Sequence, residues 1–262
     1  MAGPKVRYAA ANGVATLELC DPPANTYSYE MMRQLDEAIL SARFDDGVHV
    51  ILLRGAGDRF FCAGADIRML EGAAAGFKYH FCLHANETLN RLEQTPKLVI
   101  AALNGHAVGG GLEVALAADL RVARQGAGKI GLPEVNLGVL PGTGGTQRLV
   151  RLLGKARAIE LMALGRTFEF EEACELGLVQ HVFDAENFEV ALRDYAAQFV
   201  PPRRASKAVG LIKRAVQSGS ECSLTEGLAL ERELQQRLFE SADAREGLRA
   251  YAEKRAPRFE GA

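Results

Sequence analysis

The sequence predicts an α/β fold built on parallel strands and closed by a purely helical C-terminal region. Two segments, residues 50–70 and 99–119, each run from an apolar strand through a glycine-bearing loop into a helix, the alternation that builds parallel sheets. After Pro201-Pro202 the texture changes to segments rich in Leu, Ala, Glu and Arg, with no strand signal. That change sets an expected boundary between residues 1–200 and 201–262.

Taken in order, residues 14–19 (VATLEL) alternate in polarity and read as a half-buried strand. Residues 28–43 read as a helix, with Ser28 as its cap and Met32, Leu35 and Ile39 on one face. Residues 48–54 and 98–103 are almost continuously apolar, as strands covered on both faces are. A helix over 111–118 starts at three glycines, and ligands in such folds gather where strands hand over to helices. Beyond the double proline, residues 205–217, 224–239 and 243–254 read as helices. Leu224, Leu228, Leu230, Leu234 and Leu238 recur there at near-helical spacing, more apolar surface than a terminal appendage buries alone. A closed homo-oligomer is the usual cover for such a surface. No internal repeat is legible.

The composition excludes several classes. The 262 residues are 48% hydrophobic and 24% charged, ordinary for a globular protein able to bury a sizeable core. With 33 acidic against 31 basic residues and no Lys/Arg patch, neither nucleic acid nor an anionic membrane is an expected partner. No apolar run reaches the length of a membrane span, and MAGPKVRYAAANG holds no signal-like apolar stretch. Cys20, Cys62, Cys82, Cys174 and Cys222 are odd in number and never spaced CxxC, which points to reduced thiols and a cytoplasmic location.

The chemistry concentrates between Asn104 and Leu149. Glu113 follows Gly109-Gly110-Gly111, and Glu134 follows Leu132-Pro133 ahead of a second glycine-rich loop. Glycines let backbone N–H groups approach an oxygen closely, and carboxylates beside them can move protons at a polarised carbonyl. Each piece has a plainer structural explanation: a tight turn for the glycines, favourable helix-dipole placement for Glu113, a surface loop for Glu134. PGTGGT lacks the Lys-Ser/Thr of a nucleotide-binding loop, and the glycine triplet is not a GxGxxG dinucleotide fingerprint. His80 and His84 stand four apart, a spacing compatible with zinc, without a second ligand pair; no metal is expected. No GxSxG elbow is present, and Cys62 is expected to pack rather than react.

The whole of NGHAVGGGLEVALAADLRVARQGAGKIGLPEVNLGVLPGTGGTQRL, together with FFCAGADIR at 60–68, LTEG at 224–227 and EGLRAYAEKRAPRF at 246–259, resembles the enoyl-CoA hydratase/isomerase (crotonase) family. The resemblance implies a spiral of ββα turns over residues 1–200, then a helical region over 201–262 that packs trimers, commonly paired into hexamers. It also implies that Ala65 and Gly110 donate their N–H groups to a thioester oxygen, where a Cβ on Gly110 would obstruct that oxygen or tilt the N–H. Glu113 and Glu134 match the paired glutamates of hydratases, and isomerases often keep only the second. Gly142 matches a position whose N–H lies near the catalytic water. Coenzyme A, part of the substrate rather than a cofactor, is expected along Ala63, Ala65, Asp66, Ile67 and Arg68 with Gly110, helped by Lys254 from this or a neighbouring subunit. The implied function is reversible hydration of 2-trans-enoyl-CoA to 3-hydroxyacyl-CoA. The alternatives are an enoyl-CoA isomerase, a hydratase for branched or aromatic acyl chains, and a non-catalytic assembly or RNA-binding member of the fold. One departure is an extra residue within 124–129, which sets Glu113 and Glu134 twenty-one residues apart and would displace Glu134 if no turn absorbed it.

Overall fold

The computed structural model describes residues 3–262. The chain opens with a hairpin, β1 (Val6–Ala11) and β2 (Val14–Leu19), paired antiparallel across Asn12-Gly13. Both turn residues have positive φ, 52° and 80°, the geometry for which Asn-Gly is suited. Helix α1 (Tyr29–Phe44) follows, its first turn held by the Ser28 hydroxyl, which accepts from the Met31 N–H. Met31, Met32, Leu35, Ala38, Ile39 and Ala42 form its buried face.

Three turns of a spiral come next. The first holds β3 (Val50–Gly55), β4 (Phe60–Cys62), α2 (Ile67–Gly72) and α3 (Ala75–Glu93); the second holds β5 (Leu98–Leu103), β6 (His106–Val108) and α4 (Gly110–Leu116). The third holds β7 (Leu120–Arg124), β8 (Lys129–Gly131), a 3-10 turn at Glu134–Leu137, α5 (Gly145–Leu153) and α6 (Lys155–Ala163). In each turn the longer first strand joins one sheet and the short second strand another. The first sheet, ordered β1-β2-β3-β5-β7 and ending in β10 (His181–Phe183), is parallel from β2 onward; the second, β4-β6-β8, is parallel until β9 (Thr167–Glu169) adds antiparallel. A glycine marks each corner between the sheets: a side chain at Gly55, Gly105 or Gly128 would collide with the backbone of Arg59–Phe61 or His106.

The first sheet is covered on both faces. Leu17, Leu19, Ile51, Leu53, Val99 and Ala101 pack with α1 and α3. Val50, Leu52, Leu98, Ile100 and Val122 pack with Phe188, Leu192 and Ala196 of α8 (Phe188–Ala196), which follows α7 (Phe170–Glu175) and β10. This is why β5 is buried at every position, while β2 beside the hairpin keeps the alternation its sequence shows.

The last three helices are α9 (Ser206–Gly219), α10 (Leu224–Phe239) and α11 (Ala242–Ala252). Helix α9 is bound to the sheet layer by a buried ion pair, Lys213 Nζ to Asp119 Oδ2 at 2.9 Å, and Lys213 also donates to the Lys97 carbonyl at 3.0 Å. Helix α10, started by a Ser223/Glu226 capping box, packs on α9 and buries Leu234 alone. Leu224 and Leu228 stay 78% and 44% exposed, with Leu248 and Tyr251 of α11 also open to solvent. Among the described residues no helix is long and apolar enough to cross a membrane.

The Lys213–Asp119 pair yields a stability prediction. Lys213→Ala leaves a mostly buried carboxylate without its cation and should lower unfolding stability by ~3–5 kcal/mol, read as a lower denaturant midpoint. A midpoint within error of the parent would show that solvent already screens the pair.

Candidate active site

Glu113 lies in the first turn of α4 and is only 2% exposed. Its carboxylate is held by a second helix. The N–H groups of Thr143 and Gly145 donate to Oε1 at 2.8 and 2.7 Å, and the Thr143 hydroxyl donates to Oε2. Gly145 begins α5, so the positive end of that helix dipole faces the carboxylate. Arg148, one turn into α5, bonds to the Thr143 carbonyl at 3.3 Å and to Glu93 and Asn90 of α3, which anchors the loop. Burial raises the Glu113 pKa, while the Thr143 and Gly145 hydrogen bonds and the Arg148 charge oppose that rise.

Glu134 opens the 3-10 turn and is half-buried rather than a surface side chain. Its carboxylate stands over Gly109, where a Cβ would lie 3.2 Å from Oε1. Glu134 Oε2 is buried without a hydrogen-bond partner among the described residues. Burial first, and the nearby Glu113 charge as well, push its pKa up to about 7. The two carboxylates therefore stand in unlike surroundings: Glu113 is dry but held by three donors from a second segment, while Glu134 has its own backbone N–H to oppose the effect of burial.

The two proposed N–H donors lie on adjacent loops, since a Cβ at Gly64 would come 3.1 Å from the Gly110 nitrogen. Tyr27 pairs with the first loop through the Gly64 carbonyl (2.9 Å) and the Asp66 N–H (3.0 Å). That parallel bridge turns the N–H of Ala65 away from Tyr27. Among the described residues neither the Ala65 nor the Gly110 N–H has a protein acceptor. The reason for glycine at 110 differs from the expectation. A Cβ there would collide with the hydroxyl and ring of Tyr27, which is buried and fills that space. The obstacle is the protein's own tyrosine.

Gly142 is exposed; its carbonyl accepts from Asn86 at 3.3 Å, and a Cβ on it would meet Cys82 Sγ at 3.4 Å. Along the loop expected to take coenzyme A, the Ala63 N–H is spent on the Ala24 carbonyl, and Asp66 caps α2 by accepting from the Arg68 N–H at 3.0 Å. The Ile67 and Arg68 side chains are exposed. Lys254 follows the C-cap of α11 in a left-handed conformation (φ 54°) and makes no hydrogen bond or ion pair to that loop among the described residues. Residues 125–128 form the turn between β7 and β8. The β6–β8 register runs on undisturbed, and Glu134 keeps its place over Gly109. Burial pushes the Cys62 thiol up to about 12, in keeping with packing. Two site residues carried no signal in the sequence. Thr143 reads as one more residue of a glycine-rich turn, and Tyr27 lies far from every motif in the chain.

Compared with known proteins, the chain matches the family model for enoyl-CoA hydratase/isomerase over residues 9–262. It is 39% identical over 251 residues to a protein of Bacillus subtilis (strain 168) named "Probable enoyl-CoA hydratase", covering 95% of each chain. It is 36% identical over 241 residues to the mitochondrial methylglutaconyl-CoA hydratase of Rattus norvegicus, covering 90% of this chain and 76% of that one. Its structure superposes with a TM-score of 0.96 and 44% identity on an enoyl-CoA hydratase of Geobacillus kaustophilus HTA426, across 100% of this chain and 98% of the other.

The Tyr27 contact makes Gly110 intolerant of the smallest side chain. Gly110→Ala should lower the thermal midpoint and cut turnover at least ~10²-fold, the scale of losing one preorganised donor. Full activity in Gly110→Ala would remove this nitrogen from the site.

Proposed function

The chain belongs to the enoyl-CoA hydratase/isomerase family, and on that premise we propose that it is a hydro-lyase adding water reversibly and syn across 2-trans-enoyl-CoA. The observation that supports this reading is the pair of carboxylates, Glu113 in the first turn of α4 and Glu134 over Gly109, beside two adjacent loops whose Ala65 and Gly110 N–H groups have no acceptor among the described residues. Addition at the β-carbon moves negative charge onto the thioester oxygen, and the Ala65 and Gly110 N–H groups stabilise that charge without reorganising. The ionised Glu113 takes a proton from water as its oxygen bonds to the β-carbon, with the Gly142 N–H beside that water. Glu134 delivers its proton to the α-carbon on the same face. Exchange with solvent returns both carboxyls to their starting states. Net hydration changes no oxidation state, so the proposed reaction needs no redox cofactor, and in this reading the two N–H donors polarise the thioester without a metal. Ala63, Ala65, Asp66, Ile67 and Arg68 are assigned to the coenzyme A portion, with Lys254 reaching it from this or a neighbouring subunit.

The exposed Leu224, Leu228, Leu248 and Tyr251 support assembly through the C-terminal helices into a trimer or hexamer. The cytoplasm is the proposed location, which suits five unpaired cysteines.

Four measurements test these readings. Glu113→Gln and Glu134→Gln should each lower kcat on crotonyl-CoA by at least ~10²-fold without unfolding the protein. Persistent double-bond migration in Glu113→Gln would favour an isomerase, and a panel of straight and branched enoyl-CoA substrates fixes the acyl group. The pH profile has a definite sign: Glu134 must carry a proton, so kcat for hydration should fall as pH rises through about 7, the region to which burial lifts this group. A rate flat from pH 6 to ~8.5 would exclude Glu134 as the acid. In sedimentation, the full-length chain should run as a trimer or larger at micromolar concentration; an active monomer would refute the assembly.

A further inference from the structure

Tyr27 and Thr143 form a hydroxyl chain ending on Glu113. The Tyr27 hydroxyl stands 3.2 Å from Thr143 Oγ1, and Thr143 Oγ1 bonds directly to Glu113 Oε2. All three side chains are buried. We propose that these two hydroxyls are positioning residues of the active site, acting through Glu113 as a reversible donor relay that holds its carboxylate turned and ionised for the reaction. The inference rests on the hydratase reading for its consequence in turnover and on the geometry alone for the relay.

The direction of the relay follows from counting protons. A threonine hydroxyl has one proton and two lone pairs. With Glu113 ionised, that proton is needed at Oε2, because no other donor reaches that oxygen among the described residues. Thr143 can then only accept from Tyr27, so the chain runs Tyr27 to Thr143 to Glu113. When Glu113 takes a proton, its new O–H can donate to Thr143, whose proton rotates toward Tyr27. In that reversed state the Tyr27 proton loses its Thr143 acceptor, whereas with Glu113 ionised each hydroxyl proton of the chain has one, and the charge-assisted arrangement is the stronger, which favours the anion.

Tyr27 is fixed well enough to serve this role. Its backbone is bonded to Gly64 and Asp66, its ring lies 5.8 Å from that of Phe81, and it fills the space beside Gly110. A single residue thus touches the Ala65 loop, the Gly110 backbone and, through Thr143, the Glu113 carboxylate. The titratable groups facing Glu113 are Arg148 from α5, Glu134 from the 3-10 turn, Cys82 from α3 and Tyr27 itself; Cys62 of β4 lies beside Tyr27. Substitution at Thr143 leaves Arg148, Glu134 and the two cysteines in place and removes the hydroxyl partner of Tyr27.

The test is an infrared titration of Glu113, read as the difference between each protein and its Glu113→Gln counterpart, beside the pH profile of crotonyl-CoA hydration. Thr143→Val keeps shape and removes the hydroxyl. It should raise the Glu113 midpoint by about one pH unit, move the acid limb of kcat upward with it and lower kcat about tenfold at neutral pH, with KM nearly unchanged. Thr143→Ser should restore all three, and Tyr27→Phe should move them the same way by less. A folded Thr143→Val with the parent midpoint, or a Thr143→Ser as impaired as Thr143→Val, overturns the relay. Should Thr143→Val not fold, Tyr27→Phe decides, and an unmoved midpoint there overturns it equally. A parent protein that hydrates no enoyl thioester, while its midpoint shifts as described on substitution, would sink the hydratase reading and leave the relay standing.

Discussion

A carboxylate buried in the protein interior is the constraint around which the site is arranged. Taking an anion from water costs several kcal/mol unless donors replace the lost hydration. Glu113 has such donors in Thr143, Gly145 and the start of α5. Those groups can approach only because Gly145 carries no side chain: a Cβ there would press on Glu113 Cγ and Oε1 at 3.0 Å. Arg148 then fastens the donor loop to Glu93 and Asn90, so α3 and α5 are fixed together by the need to solvate one side chain.

The spiral is what lets a single chain bring these groups together. Strands β4, β6 and β8 are parallel neighbours in the second sheet, so the loops leaving their C-terminal ends lie side by side. The loop after β4 carries Ala65, the segment after β6 carries Gly110 and Glu113, and the segment after β8 carries Glu134 and the Gly142–Gly145 turn. Each turn of the spiral contributes one part of the constellation, at the edge where parallel sheets commonly bind ligands. The first, longer sheet carries none of these groups; it supplies the two-faced core that keeps the shorter strands in register.

Much of the frame was legible in the sequence. The strand over 98–103 and the helix over 224–239 have the observed bounds, because six consecutive apolar residues and a capping Ser with Glu three positions on are strong local signals. The hairpin strand β1 went unread although Asn12-Gly13 announces its turn, since Ala9, Ala10 and Ala11 give no alternation. Strands β4, β6, β8 and β9 have three residues each, too few to show any period. The spiral repeat was hidden because what recurs is a corner too tight for a side chain, marked by a single glycine per turn. The paired glutamates were found through the family pattern, whereas the Tyr27–Thr143 contact joins residues 116 positions apart and leaves no local trace.

The unlike surroundings of the two carboxylates have a common origin in the backbone that carries them. Glu113 projects from a helix toward the N-terminus of another, where N–H groups without helical partners are available by construction. Glu134 projects from a single 3-10 turn, its carboxylate over Gly109 at the start of α4, and its turn continues into Val135, Leu137, Val139 and Leu140, all exposed. An apolar cover laid over that rim would remove more water from Glu134 and strengthen its hold on a proton. Glu113 is already dry and supplied with donors, so the same cover changes its balance far less. Closing the site therefore drives the two proton affinities further apart, because Glu113 alone has its lost hydration replaced by the Thr143 and Gly145 donors.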